Sequence, residues 1–142
     1  MVPEINYWAV LLATASSMLV GSIWYAPKVF GTRWSKLANV DMDRPGSSAT
    51  MAIITTVIVS FITAWVLAGA SAIAWHFYGG SFFWGAIITS VTLWAGFTAA
   101  RFITHDAFEG RPTALTTMNI AHELVTVVVM AVLIGVWPPA LG

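Results

Sequence analysis

The chain contains no cysteine and very few charged residues, and each of these absences excludes several classes of protein. Without cysteine there is no disulfide bond, no thiolate metal ligand and no cysteine nucleophile. Only 8% of the 142 residues are charged, whereas a soluble domain carries about 25%. The six Lys and Arg balance the six Asp and Glu, so the chain offers no basic surface for nucleic acid. We therefore expect a membrane protein whose main partner is the lipid bilayer.

The common catalytic signatures are also missing from the sequence. It has no Gly-x-Ser-x-Gly nucleophile elbow, no glycine-rich phosphate loop and no His-Glu-x-x-His zinc motif. We expect no enzymatic activity and no bound cofactor.

Hydrophobic residues make up 58% of the chain and form four long runs, at about residues 5–26, 49–74, 82–103 and 112–137. A helix needs about 20 mostly apolar residues to cross a bilayer. Pro27 ends the first run, Pro112 suits the first turn of a helix, and Pro138 and Pro139 prevent the fourth run from continuing. The sequence therefore predicts an all-α fold, a four-transmembrane-helix bundle that forms one domain over residues 1–142.

The first apolar run resembles a signal peptide in position but not in charge. Glu4 precedes it and no Lys or Arg does, whereas a secretory signal begins with a positive region and has a shorter apolar core. We expect this run to remain in the membrane as a helix.

The basic residues indicate how the bundle is oriented. All six lie in or beside the first and third connections: Lys28, Arg33, Lys36, Arg44, Arg101 and Arg111. Because an excess of Lys and Arg marks the cytoplasmic side of a membrane, we expect a multi-pass protein with both termini outside.

The first inner connection has a pattern of its own. Val29, Phe30, Trp34 and Leu37 recur at roughly helical spacing among the basic residues. This pattern is typical of a short helix that lies in the headgroup region. An irregular loop with interfacial aromatic residues is the alternative.

The fourth run carries polar residues near its middle. Thr116, Asn119, Glu123 and Thr126 follow steps of three, four and three, and His122 lies beside this row. An ionised carboxylate near the bilayer midplane costs about 2.5 kcal/mol or more, so Glu123 must be protonated, paired or in contact with water. Two interpretations stay open. The pair His122 and Glu123 binds or relays a proton or small cation, or a protonated Glu123 bonds another helix or subunit.

A second polar cluster lies in the connection between the third and fourth runs: Arg101, His105, Asp106, Glu109 and Arg111. His105 and Glu109 are four residues apart and would share one helical face, so they are weak candidates for ligands of a divalent cation. The alternative is a solvated loop in which the two arginines pair with the two carboxylates.

Small and hydroxyl residues form a row on each of the first three predicted helices. Such rows allow close helix packing in lipid, within the bundle or between subunits. Because four helices form a thin bundle, we expect a homo-oligomer that uses these rows. They are Thr14, Ser17 and Gly21; Thr56, Ser60 and Thr63; and Gly85, Thr89, Thr92, Gly96 and Ala100.

Several short motifs resemble a known family across nearly the whole chain. They are Trp24-Tyr25-Ala26-Pro27, Phe30-Gly31, Trp34, Phe108-Glu109-Gly110-Arg111-Pro112 and the pair Asn119 and His122. The sequence resembles the domain of unknown function 1761 family, which consists of small, mostly bacterial, four-helix membrane proteins. This resemblance implies four membrane spans and a bacterial inner membrane, and it implies no established activity. Glu123 is not part of the resemblance.

The family motifs also suggest where a site would form. Tyr25, Pro27 and Gly31 of the first inner connection lie on the same predicted side of the membrane as residues 109–111 of the second. The two connections would then form one cytoplasmic-face pocket that continues to Asn119 and His122. We expect this pocket to bind or permeate a small solute, an ion or a proton. The alternative is a structural or interaction protein whose polar residues only specify oligomer assembly.

Overall fold

A computed structural model of the protein describes residues 3–41 and 46–140, with the side chains of residues 46–48 excluded. Six α-helices and two π-helical segments make up the described chain, which contains no strand. The α-helices are α1 (Tyr7–Trp24), α2 (Thr32–Ala38), α3 (Gly46–Tyr78), α4 (Phe82–Leu93), α5 (Ala100–Phe108) and α6 (Thr113–Val136). The π-helical segments are Pro27–Gly31 and Trp94–Ala99.

Four helical stretches in the described residues are long and apolar enough to cross a membrane, as predicted. They are Tyr7–Trp24, Ala49–Tyr78, Phe82–Phe108 and Thr113–Val136. The all-α fold with four candidate spans is therefore confirmed. Arg44 and most of the turn around it lie outside the described residues.

The third span is longer than its apolar run. α4, the second π-helical segment and α5 follow one another without a break, so this span continues to Phe108 rather than ending near residue 103. Thr104 supports the extension because its hydroxyl donates to the carbonyl of Ala100 at 2.9 Å. The helix ends where Gly110 takes a φ of +66°, a left-handed conformation that favours glycine.

One side chain holds the start and the end of the chain together. Asn6 caps α1, since its Oδ1 accepts from the backbone amides of Trp8 and Ala9 at 3.1 and 3.3 Å. Its Nδ2 donates to the carbonyl of Trp137 at 3.2 Å, just beyond α6. Both ends of the described chain therefore lie at one end of the bundle, which we call the terminal end. The opposite end, with residues 25–41 and 109–112, we call the basic end.

The hydrophobic core occupies the half of the bundle near the terminal end. α6 packs against α1 and α4, and α3 packs against the same two helices. The buried core side chains come from the first half of α1 and α4 and from the second half of α3 and α6: Val10, Ala13, Ala64, Leu67, Ala68, Ala72, Phe82, Ala86, Val127, Met130 and Ile134.

In the half of the bundle near the basic end, α3 is exposed. The side chains of residues 49–59 are exposed on every side of α3, and buried positions begin at Ala64. The polar rows divide accordingly. Thr14 and Ser17 are buried inside the bundle, whereas Thr56 on α3 and Thr92 on α4 are exposed.

Candidate functional site

The first π-helical segment and α2 follow α1 at the basic end and carry aromatic side chains to α6. The carbonyl of Ala26 accepts from the amides of Val29 and Gly31 at 2.9 and 3.0 Å, which forms the π-helical turn. From α2, Trp34 donates its indole N–H to Oδ1 of Asn119 at 3.0 Å. The connection between the first and second spans is therefore helical in its described part, as one of the two interpretations predicts. Its location in the headgroup region stays a prediction.

The imidazole of His122 lies against two rings from the end of α1. Its ring centroid is 4.9 Å from that of Tyr25 and 5.7 Å from that of Trp24. Trp24 in turn contacts Phe30 at 4.5 Å, and Tyr25 contacts Trp34 at 5.0 Å. The side chain of His122 is only 13% exposed because these rings enclose it.

Glu123 lies next to this enclosed imidazole. Its Oε1 is 3.4 Å from Nδ1 of His122, and its side chain is 37% exposed. Helical spacing puts it in the same row of α6 as Val127 and Met130, which are buried in the core. Glu123 therefore lies on the side of α6 that faces the bundle.

Tyr25 is the first residue after α1, and its surroundings raise the pKa of its phenol. Burial, and after it the negative charge of Glu123, raise the pKa of Tyr25 to about 12. The phenol therefore keeps its proton at any physiological pH and remains a hydrogen-bond donor beside His122.

The other members of the predicted polar row of α6 have separate partners. The hydroxyl of Thr126 donates to the carbonyl of His122 at 2.9 Å. The hydroxyl of Thr116 donates to Oδ2 of Asp106 at 2.7 Å. Of the predicted polar residues of α6, Asn119, His122 and Glu123 are the ones that lie at the aromatic rings of Trp24, Tyr25 and Trp34.

The second predicted cluster forms ion pairs at one of its two arginines, which agrees in part with the solvated-loop alternative, but residues up to Phe108 are helical and Asp106 is buried. Nε of Arg111 is 2.6 Å from Oε2 of Glu109 and 3.8 Å from Oδ1 of Asp106. Arg101 and His105 are exposed, and neither forms an ion pair within the described residues. Within the described chain, no hydrogen bond, ion pair or ring contact joins Glu109 or Arg111 to Tyr25, Asn119 or His122. A single pocket formed by both connections stays a prediction.

The described part of the chain brings no third candidate ligand to His105 and Glu109. No group of three or more His, Asp or Glu residues there is arranged to hold a metal ion. Glu109 instead binds Arg111 at the surface.

Several contributors to the site were not identified from the sequence as site residues. The sequence indicates Trp24 and Trp34 only as parts of the family motifs, and Trp34 also as part of a headgroup helix, but their rings reach α6. Trp94 begins the second π-helical segment and donates its indole N–H to the carbonyl of Ile120 at 3.0 Å. Each π-helical segment therefore supplies or adjoins a contact to the polar part of α6, and π-helical turns are frequent at functional sites.

A surface cavity of about 400 Å³ lies at the terminal end, far from His122 and the rings around it. Its lining residues are Glu4, Ile5, Asn6, Pro138, Pro139 and Ala140. None of the predicted site residues belongs to it.

The bond between Trp34 and Asn119 provides a test of how firmly α2 is held. We expect Trp34→Phe to lower the free energy of unfolding by about 0.5–1.5 kcal/mol, the usual net contribution of one hydrogen bond. Thermal unfolding in detergent micelles measures the change. Trp8→Phe is the matched control, since the Trp8 side chain is 70% exposed and forms no hydrogen bond within the described chain. Equal destabilisation by both substitutions would contradict the anchoring role.

Comparison with known proteins identifies a family but no characterised relative. No curated protein and no solved structure matches the chain. A family model described as "Protein of unknown function (DUF1761)" matches residues 8–135. This range includes Trp24, Tyr25 and Trp34 at the basic end, and Asn119, His122 and Glu123 on α6. The chain therefore belongs to the DUF1761 family.

Proposed function

We propose that this protein binds protons at the pair His122 and Glu123, as part of a pathway for protons, ions or a small solute through its helical bundle. The observation that carries the proposal is the 3.4 Å separation of His122 Nδ1 and Glu123 Oε1. An imidazole changes charge near neutral pH. Beside a carboxylate, it forms a pair that takes up and releases a proton within one short contact.

The cost of an intramembrane carboxylate supports a functional role. Glu123 lies within α6 at the level where α1 ends, and a carboxylate inside a membrane span must be protonated, paired or in contact with water. Apart from His122, no side chain in the described chain forms an ion pair or hydrogen bond with it. A residue needed only to lock helices together would have a hydroxyl or carbonyl partner on another helix.

The aromatic rings hold His122 in place beside Glu123. Trp24 and Tyr25 lie at 5.7 and 4.9 Å from the imidazole, measured between ring centroids. A protonated His122 would have the carboxylate of Glu123 as its counter-charge.

The partial exposure of Glu123 supports access to the pair. Its side chain is 37% exposed, whereas that of His122 is only 13% exposed. The protein would lie in the bacterial inner membrane, as the family resemblance implies. Both termini would be outside, because the basic residues lie in or beside the first and third connections of the sequence.

Proton flux into liposomes tests the proposal. The full chain is reconstituted with a pH-sensitive dye inside the vesicles, and a potassium gradient with valinomycin drives proton entry. We expect Glu123→Gln and His122→Gln to lower the flux by roughly tenfold or more, since a positioned acid–base group commonly contributes at least that factor to proton transfer.

The matched control is Glu4→Gln, the same chemical change on an exposed carboxylate at the terminal end. It should leave the flux as in the native protein. Native protein that carries no more protons than empty vesicles would overturn the proposal. Folded Glu123→Gln protein with undiminished flux would do so as well.

A second candidate function is supported by the exposed half of α3. Residues 49–59 are exposed on every side of the helix, and this region includes Thr56 of one polar row. In a structural or interaction protein these surfaces would bind a second copy, and Glu123 would serve assembly. Glu123→Gln would then dissociate the oligomer in mild detergent, whereas the proton-binding role requires the oligomeric state to survive the substitution.

A further inference from the structure

The first π-helical segment and α2 carry three basic side chains that no carboxylate neutralises. Lys28, Arg33 and Lys36 are exposed, and none of them forms an ion pair within the described residues. The sequence contains no Asp or Glu between Glu4 and Asp41. The positive charge of this segment is therefore free to attract an anion from outside the protein.

Helical geometry places the three cations on one side of the segment. Arg33 and Lys36 are three residues apart on α2 and share a face. The turn before α2 is π-helical, and the hydroxyl of Thr32 donates to the carbonyl of Pro27, five residues earlier, at 3.0 Å. Because residues five apart are aligned in such a turn, Lys28 lies on the same side as Arg33. We call this side of the segment, with Lys28, Arg33 and Lys36, the basic face.

The opposite side of α2 holds the segment against the bundle. Trp34 donates its indole N–H to Asn119 on α6 at 3.0 Å. Lys36 follows two residues later, which is about 200° around the helix, so it is directed away from α6. Asn119 belongs to the candidate span Thr113–Val136. α2 therefore lies alongside a membrane span, and its basic face is turned outward.

Exposed apolar side chains adjoin the basic face. Val29 and Phe30 are 49% and 36% exposed, and they follow shortly after the first candidate span, which ends at Trp24. Basic and apolar side chains on one short helical segment are typical of a surface at the boundary between lipid headgroups and acyl chains. A soluble anion would match the charge alone, whereas an anionic lipid matches both the charge and the apolar side chains.

We propose that the basic face binds the phosphates of anionic phospholipids in the leaflet next to the basic end. Each Lys or Arg near an anionic membrane surface strengthens binding by about fivefold, and three of them on one side attract the same headgroups. The bound headgroups hold α2 in place, with Trp34 against Asn119. The proposal does not depend on proton binding by His122 and Glu123.

A single fluorescent label detects the lipids next to the basic face, because the chain has no cysteine of its own. Val29→Cys, at an exposed position beside Lys28, is labelled with bimane, and the full chain is reconstituted into phosphatidylcholine vesicles. A small amount of phosphatidylglycerol or of phosphatidylcholine, with a nitroxide near the top of one acyl chain, quenches the label from nearby. The ratio of quenching by the two lipids measures the local lipid preference. Both leaflets contain the same lipids, so the ratio does not depend on the orientation of the protein.

We expect phosphatidylglycerol to quench this label more strongly than phosphatidylcholine, by about fivefold or more. Arg33→Gln should lower the ratio by up to about fivefold, and the triple variant Lys28→Gln, Arg33→Gln, Lys36→Gln should abolish the preference. Raising the salt concentration from about 0.05 to about 0.5 M should also lower the ratio, since salt screens exposed charges. The salt measurement needs no substitution other than the label.

Arg101→Gln is the matched control, because it makes the same chemical change on an exposed arginine of α5. It should leave the ratio unchanged. Equal quenching by the two lipids without further substitution would overturn the proposal, and so would equal losses in Arg33→Gln and Arg101→Gln. Inorganic phosphate at matched ionic strength should not alter the ratio. If it abolished the preference, the basic face would be a site for a soluble anion instead of a lipid headgroup.

Discussion

Replacing Gly31 with alanine is expected to destabilise the protein by about 3 kcal/mol or more, the upper part of the range for overpacked sites. Gly31 is buried at the end of the first π-helical segment. A Cβ there would overlap the carbonyl oxygen of Tyr25 and lie 2.8 Å from its carbonyl carbon. The clash is with backbone, so no side-chain rotation relieves it. Thermal or denaturant unfolding in detergent measures the loss.

The expected damage extends to the site because the obstructing atoms belong to Tyr25. To admit a methyl group at Gly31, the backbone at Tyr25 and Ala26 must move, and the Tyr25 ring would move away from His122. Gly96→Ala is a matched control, since Gly96 also lies in a π-helical segment and has nothing within 4 Å of an added Cβ. Equal stability of the two variants would show that the π-helical turn at Gly31 is not tightly packed.

Gly31 also illustrates what sequence reasoning can and cannot provide. The Phe30-Gly31 pair was recognised as part of a family motif, and its predicted side of the bundle agrees with that of Tyr25. The sequence does not show why a glycine is needed here. The close approach of Gly31 to the Tyr25 carbonyl depends on a hydrogen bond from the Gly31 amide to the carbonyl of Ala26, five residues earlier. Such i to i+5 bonding has no simple residue signature.

The four spans were predictable because their signal is local. A run of about 20 apolar residues defines a membrane helix regardless of its neighbours. The extension of the third span to Phe108 was not predicted, since residues 104–106 are polar and were assigned to a connection. They remain helical, and the chain turns only at Gly110, where φ is +66°.

The candidate site was predictable in part for the same reason. Asn119, His122 and Glu123 were recognised as unusual because they interrupt an apolar run. Their contacts with Trp24, Tyr25 and Trp34 depend on how α1 and α2 cross α6, which spacing along the chain does not encode. The pairing of Asp106 with Thr116 was missed because the two residues were assigned to different clusters.

Replacing Asp106 with alanine is expected to destabilise the protein by about 1.5–3 kcal/mol, the range for a hydrogen bond to a charged group. Asp106 is 6% exposed, and its Oδ2 accepts a hydrogen bond from the hydroxyl of Thr116 at 2.7 Å. Arg111 approaches the same carboxylate, and its backbone amide donates to the Asp106 carbonyl at 2.9 Å. The carboxylate therefore connects α5 to the first turn of α6.

Glu109→Ala is the control for this substitution, because Glu109 is a carboxylate partner of the same arginine but is half-exposed. Exposed ion pairs contribute little to stability, so its unfolding should differ little from that of the native protein. If Glu109→Ala cost as much as Asp106→Ala, the arginine pairing would be the important contact and the Thr116 bond would not.

A double-mutant cycle isolates the contact between Asp106 and Thr116. Thr116→Val alone leaves a buried carboxylate without its hydroxyl donor, so it should also destabilise the protein. Once Asp106 is alanine, the same change removes a hydroxyl that no longer has a partner and should cost much less. We expect the two effects to fall short of additivity by roughly 1 kcal/mol or more, as for residues in direct contact. Additive effects would mean that the two side chains act independently, and that another contact holds α5 against α6.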